Sequence, residues 1–290
     1  MFPTPRQLTA LFFLSCIAAY AHLQADIVAG PMLGHIDMRE ATIWVQTDAP
    51  AKVRVAYAEQ GQADALRWSD AIQTSNALNN TATLTLNAVE PGKKYNYRIE
   101  LDGTLTEEQN TLKTPTNYLG RTPPPDLRIA VGGAHYVTED GFEPPYQILG
   151  GGYGIFSSIL SEKPELMIWT GNTAHLRDSD WASQSGTLKR FSKARSVSEL
   201  QPLLARIPHY ATWSNSDYGT VNAGKFYSYR QDVEDSFNAY WPKPVEVASL
   251  DGITTRFRRS DVDFFMLDTR SYRDDASASD RLPQMPGKAQ

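Results

Sequence analysis

The chain has 290 residues, 28 basic and 33 acidic side chains, a formal charge of −5 and one cysteine. At roughly 100–200 residues per domain this length accommodates one or two domains, and 41% apolar residues are too many for a disordered chain. The acidic balance gives no electrostatic footprint for nucleic acid or an anionic membrane, which excludes a basic nucleic-acid-binding protein.

Arg6 precedes the apolar run from Leu11 to Ala19, and Ala19-Tyr20-Ala21 is a small-x-small cleavage pattern. Residues 1–21 therefore read as an export signal, with a cut after Ala25 as the alternative. The run is shorter than the ~20 residues of a membrane span, and no transmembrane span is expected. Cys16, the single cysteine, lies inside this segment. Phe13-Leu14-Ser15-Cys16 fits a lipidation box poorly, because the following residues stay apolar where an anchor wants a polar tether. The expected product is periplasmic or extracellular, without a disulfide, a thiolate ligand or a thiol nucleophile.

From residue 26 to 116 the pattern is all-β. Ala41 to Thr47, Lys52 to Tyr57, Ala82 to Leu86 and Tyr95 to Leu101 alternate with period two, separated by Asp48-Ala49-Pro50, Glu90-Pro91-Gly92 and Asp102-Gly103. About seven short strands in this span suggest an immunoglobulin- or fibronectin-like sandwich. Residues 117–126 form a linker stiffened by Pro123-Pro124-Pro125.

After the linker, short buried strands at Leu127 to Val131, Leu166 to Trp169, Tyr210 to Trp213 and Val262 to Leu267 alternate with helices. Helices are expected over Tyr153 to Glu162 and over Ser198 to Ala205, the second capped by Ser198. This alternation makes residues 127–290 an α/β layer, and chemistry belongs in the loops at the carboxyl ends of its strands. Those loops read Gly132-Gly133-Ala134-His135-Tyr136, Thr170-Gly171-Asn172-Thr173-Ala174-His175, Ser214-Asn215-Ser216-Asp217-Tyr218-Gly219 and Asp268-Thr269-Arg270. They suggest a shared polar pocket, yet one poor in the carboxylates that a hydrolytic metal site needs.

Several stretches of the layer resemble the PhoD-like alkaline phosphatases and phosphodiesterases of the metallophosphoesterase superfamily. They are Gly150 to Phe156, Lys163 to Trp169, Glu199 to Ala205 and Asp263 to Asp268. The resemblance implies a β-sandwich followed by a metallophosphoesterase layer, an exported phosphoric ester hydrolase, and a multinuclear centre of iron and calcium or of zinc. The chemical residues depart from it. Gly132-Gly133-Ala134 stands where the family has Gly-Ser-Cys, so the metal-binding thiolate is Ala134. Gly171-Asn172-Thr173-Ala174-His175 replaces Gly-Asp-Asn-x-Tyr, turning the bridging aspartate into an amide. Trp213-Ser214-Asn215-Ser216-Asp217 replaces Trp-Asp-Asp-His-Asp, and Asp268-Thr269-Arg270 replaces Asp-Asp-Arg.

A two-metal site lowers the pKa of a bridging water and clamps the transferring phosphoryl group. Neutral Asn172 cannot replace a bridging carboxylate, so no intact catalytic residue and no cofactor are expected. Asn215, Asp217, His135 and His175 are the remaining candidates for a mononuclear remnant. Against the family's length the layer is also partial: Pro286 to Gln290 resembles the opening of a helix leading into a second half, so exposed strand edges and an uncovered apolar face follow. Gly150 to Gly154 reads as a turn starting a helix rather than a phosphate cradle. Ser214 and Ser216 have no base placed beside them by any motif. The Arg256-Phe257-Arg258-Arg259 run reads as a solvated strand edge before it reads as an anion grip.

The expected function is that of a non-catalytic relative, a pseudoenzyme or a protein binding a phosphorylated or glycan ligand. The alternative is an active phosphatase or phosphodiesterase with a rewired or split site. Association through strand edges is the one macromolecular contact the pattern suggests.

Overall fold

A computed structural model of the chain describes residues 25–139, 152–244 and 252–274. The export signal, Cys16, most of the Gly150 to Gly152 run and the Pro286 to Gln290 stretch lie outside these residues. Nine strands come first: β1 (Ile27–Ile36), β2 (Ala41–Thr47), β3 (Lys52–Glu59), β4 (Arg67–Trp68), β5 (Ile72–Gln73), β6 (Thr81–Leu86), β7 (Lys94–Leu101), β8 (Thr104–Leu105) and β9 (Asn110–Lys113). They form two antiparallel sheets, one ordered β1-β2-β6, the other built on β3 and β7 with β4, β5, β8 and β9 at their flanks. The sheets enclose a core of Leu33, Ile36, Ile43, Val45, Val53, Val55, Leu84, Leu86, Tyr95, Tyr97 and Ile99. β1 carries Gly30, Pro31 and Gly34, and its pairing with β2 shifts register three times, which hides its alternation in the sequence.

Every residue of β2 is buried, so this strand serves two cores. Ala41, Ile43 and Val45 face the neighbouring sheet, while Trp44 joins Met32 and Ala29 in the core of the following layer. The Trp44 indole N–H donates to the Ala239 carbonyl at 2.7 Å, and Gln46 Oε1 accepts from the Ser192 hydroxyl at 3.1 Å. The first unit is therefore packed on both sides, and excising it would expose a buried tryptophan.

The layer holds β10 (Ile129–Gly132), α1 (Ile155–Ser161), β11 (Leu166–Trp169), α2 (Gln184–Arg195), α3 (Gln201–Leu204), β12 (His209–Ala211), α4 (Asn215–Tyr218), α5 (Arg230–Tyr240), β13 (Thr255–Arg259) and β14 (Val262–Met266). β10, β11 and β12 are parallel and in that order. One face of this sheet, with Met167, Trp169 and Ala211, meets the helices and the sandwich through Leu188, Phe191, Leu203, Trp213, Phe237 and Tyr240. The opposite face carries Leu166 and Tyr210, on which the β13–β14 hairpin docks through a ladder of rings. Tyr210 stacks on Phe257 at 3.5 Å between centroids, and Phe257 on Phe264 at 4.7 Å. That covering is partial: Val131 and Phe265 each keep 64% of their surface in water.

The segment from Ser198 differs from expectation. A 3-10 turn over Ser198–Leu200 runs into α3, and Ser198 makes no cap; its hydroxyl bonds the Glu199 carboxylate at 2.8 Å instead. Pro202 in the first turn of α3 fixes where the helix begins. Helices α2 and α5 were not legible in the same way. Ser183 caps α2 by accepting from the Gly186 N–H, and α5 buries Val233, Ser236, Phe237 and Tyr240. Among the described residues no helix is long and apolar enough to cross a membrane.

At the centre of the layer His209 is held neutral. Its Nδ1 accepts from the Trp169 indole at 3.0 Å and its Nε2 faces the Leu203 carbonyl at 3.1 Å. Burial pulls its pKa down from 6.5 to about 3. Between those values the unfolded chain binds a proton that the folded chain refuses, so stability is full above pH 6.5 and falls as pH drops through this window. One such group contributes at most about 1.4 kcal/mol per pH unit. Burial of His135, whose pKa is pulled down to about 4, acts in the same direction. Urea midpoints followed by tryptophan fluorescence from pH 7.5 to 5 are expected to fall for the native chain. In His209→Gln the fall should be shallower by about one proton; equal slopes would show that His209 is not held neutral.

Candidate functional site

The loops after β10, β11 and β12 converge at the carboxyl end of the parallel sheet. Their closeness depends on glycine. A side-chain carbon at Gly171, where φ is +104°, would sit 2.5 Å from the backbone nitrogen of Ser214. One at Gly133 would sit 2.8 Å from the Gly171 carbonyl, which accepts the Ala134 N–H at 3.0 Å. The three loops thus touch through their backbones. A cavity of about 700 Å³ opens at the amino ends of the strands, lined by Leu127, Glu165, Pro208 and the hairpin.

Asp217 is the pin of this arrangement. It is fully buried in α4, and its carboxylate accepts the backbone N–H groups of Asn172, Thr173 (2.6 Å), Ala174 (2.7 Å) and Ser214 (3.0 Å). The Thr173 hydroxyl adds a fifth contact at 3.3 Å. Burial pushes the Asp217 pKa up, and these N–H donors pull the other way. The remaining oxygens are spent in the same manner. Asn172, in the left-handed conformation at φ 54°, uses its amide oxygen to accept the Ser216 N–H at 2.9 Å. Asn215 Oδ1 accepts the Asn222 N–H at 2.8 Å. Asp268 is fully buried, with Oδ1 accepting from the Trp213 indole at 2.8 Å and from the N–H groups of Arg270 and Ser271 at 2.9 Å.

The two histidines differ. His135 turns away into rings of Tyr153, Phe156 and Trp169, with Nε2 on the Ala194 carbonyl at 3.1 Å. His175 lies edge-on to Tyr136 at 5.0 Å between centroids, and burial lowers its pKa. Ala134 and Thr173 offer no ionisable ligand, and Ser216 donates its N–H inward. Among the described residues no three histidine, cysteine, aspartate or glutamate side chains gather as a metal site. Within the candidate mononuclear set, the Asn215 and Asp217 oxygens accept protein N–H groups and His135 bonds the Ala194 carbonyl, while His175 lies within electrostatic reach of Asp217 and its buried Nε2 has no hydrogen-bond partner among the described residues.

Arg270 stands apart. It is 9% exposed, burial lowers its pKa, and its Nε and Nη1 have no hydrogen-bond partner among the described residues. In the Arg256 to Arg259 run, Arg256 and Arg258 are exposed and share Asp263 at 3.2 and 3.9 Å, while Arg259 donates to the Ile36 carbonyl. The residues passed over in the sequence are the buried arginines of α2, Arg190 and Arg195, which sit on the face a helix normally keeps apolar.

A family model described as a domain of unknown function, DUF7800, matches residues 24–118. No curated protein matches the chain. Among solved structures, PhoD superposes with a TM-score of 0.67 at 16% identity over 90% of this chain and 55% of its own. The purple acid phosphatase PPD1 from yellow lupin (Lupinus luteus) seeds gives 0.59 at 14% identity over 83% of this chain and 45% of its own. The fold is metallophosphoesterase-like, and the chain spans about half the length of these two structures.

Asp217→Asn preserves volume but presents an amide NH₂ to backbone donors, leaving at least one buried N–H unpaired. The expected loss is about 2–4 kcal/mol in urea unfolding, with no change in metal content. A variant as stable as the parent would show that the carboxylate does not hold the loops.

Proposed function

We propose that this chain is an exported relative of the PhoD-like phosphatases that has kept the scaffold and lost the phosphoesterase chemistry. One observation carries the reading: the Asp217 carboxylate and the amide oxygens of Asn172 and Asn215 accept protein N–H groups at the strand ends. A bridging position needs an anionic oxygen with free lone pairs between two cations, and Asn172 supplies neither the charge nor the freedom. In this reading the first unit is an immunoglobulin- or fibronectin-like sandwich, and the apolar run ahead of Ala21 directs export.

The role that remains is binding. A phosphorylated ligand suits the loops better than a neutral glycan, because the unpartnered nitrogens of Arg270 favour an anion. The coverage of about half of the two phosphatase structures keeps open one other arrangement, an active enzyme completed by a further segment. That arrangement still requires ligands from the present loops, which is where it conflicts with the geometry.

Elemental analysis of the purified chain after mild chelation is expected to find no stoichiometric iron, calcium or zinc. Hydrolysis of aryl phosphate mono- and diesters should stay at the uncatalysed rate with each metal added. Two tightly held metals per chain, with metal-stimulated turnover, would overturn the reading in favour of a working enzyme.

A further inference from the structure

Between the sandwich and the layer, beneath the loops, lies a second feature. Arg195, the last residue of α2, is 4% exposed, and burial pulls its pKa down only to about 9, so it is a cation at neutral pH. Its guanidinium lies 3.8 Å over the Trp241 ring and 5.6 Å from that of Trp44. Its hydrogen bonds go to Met32 Sδ at 3.1 Å and the Tyr240 carbonyl at 3.3 Å. Among the described residues no carboxylate pairs with it. Ring faces and a thioether attract a cation, yet a buried charge without a counter-ion is costly.

Trp241 is equally buried, and its indole N–H has no hydrogen-bond partner among the described residues. Arg195 and Trp241 both line a cavity of about 10 Å³, together with His135, Thr173, Phe191 and Leu200. The other polar side chains of the lining are already engaged, His135 Nε2 with the Ala194 carbonyl, the Thr173 hydroxyl with Asp217 and the Trp169 indole N–H with His209. What the cavity offers is a cation and a lone N–H donor set among apolar walls. Its volume matches one particle the size of a water molecule and excludes sulfate, phosphate or a carboxylate.

We propose that this cavity is a halide site, holding one chloride ion between the Arg195 guanidinium and the Trp241 indole N–H. A chloride accepts from both donors and neutralises the buried charge. A water molecule would satisfy the N–H and leave the charge uncompensated. The ion would then sit where the helices meet β2, joining the sandwich to the layer.

Crystals of the full chain grown in sodium bromide are expected to show one anomalous bromine peak in the cavity, in contact with Arg195 and Trp241. In solution, the unfolding midpoint should rise with chloride or bromide, by about 3–5 °C per tenfold increase above the dissociation constant. Sodium gluconate at equal ionic strength should have no such effect. Trp241→Phe keeps the ring over Arg195 and removes only the N–H, so the chloride dependence should drop sharply while the fold, checked by circular dichroism, persists. A cavity containing water alone, a midpoint that follows ionic strength alone, or an undiminished chloride response in Trp241→Phe would overturn the proposal.

Discussion

The carboxylate of Asp217 accepts four backbone N–H groups and one hydroxyl, and the carboxyl end of the sheet is organised around that contact. A loop that turns after a parallel strand leaves successive N–H groups unpaired, and in the interior each needs an acceptor. Asp217 supplies acceptors for three such groups after β11 and one after β12, joining two loops through one side chain. The joint sets further requirements: Gly171 must pass under Ser214, Asn172 must adopt a left-handed turn, and its amide oxygen then meets Ser216. A network closed in this way is stable because it is fully satisfied, and it has little left to offer a metal.

The same economy holds on the other side of the layer. β2 lies between two cores, so the sandwich and the helices are parts of one packed body rather than units joined by a tether. Arg195 enters this interface as a charge that its surroundings partly accommodate, with ring faces above and a carbonyl at its edge. Opposite the helices, the parallel sheet is only partly covered by the hairpin, and Val131 and Phe265 remain in water.

Much of the fold was readable in the sequence because strand alternation survives wherever one face meets a core. β2, β3, β6 and β7 lie where the period-two pattern put them, and β11 where a short buried apolar run put it. β1 escaped because bulges and glycines break its period. Helix α2 escaped for a different reason: Arg190 and Arg195 occupy its buried face, and charged residues there erase the apolar stripe that marks a helix. The spacing of Val233, Phe237 and Tyr240 in α5 was available as a signal and went unread. At the site, the identities at Asn172, Ser216 and Ala134 set the expectation of absent metal ligands. Nothing in the sequence announced that Asp217 and Asn215 would be turned inward to backbone donors, because that depends on how closely three loops approach.

The most direct test is amide hydrogen exchange at Asn172, Thr173, Ala174 and Ser214. If the Asp217 carboxylate is committed to these groups, their amides should be strongly protected in the metal-free protein. Adding iron, calcium or zinc should leave that protection unchanged. Rapid exchange without metal, or protection acquired only on adding it, would contradict the account and return Asp217 to the role of a metal ligand.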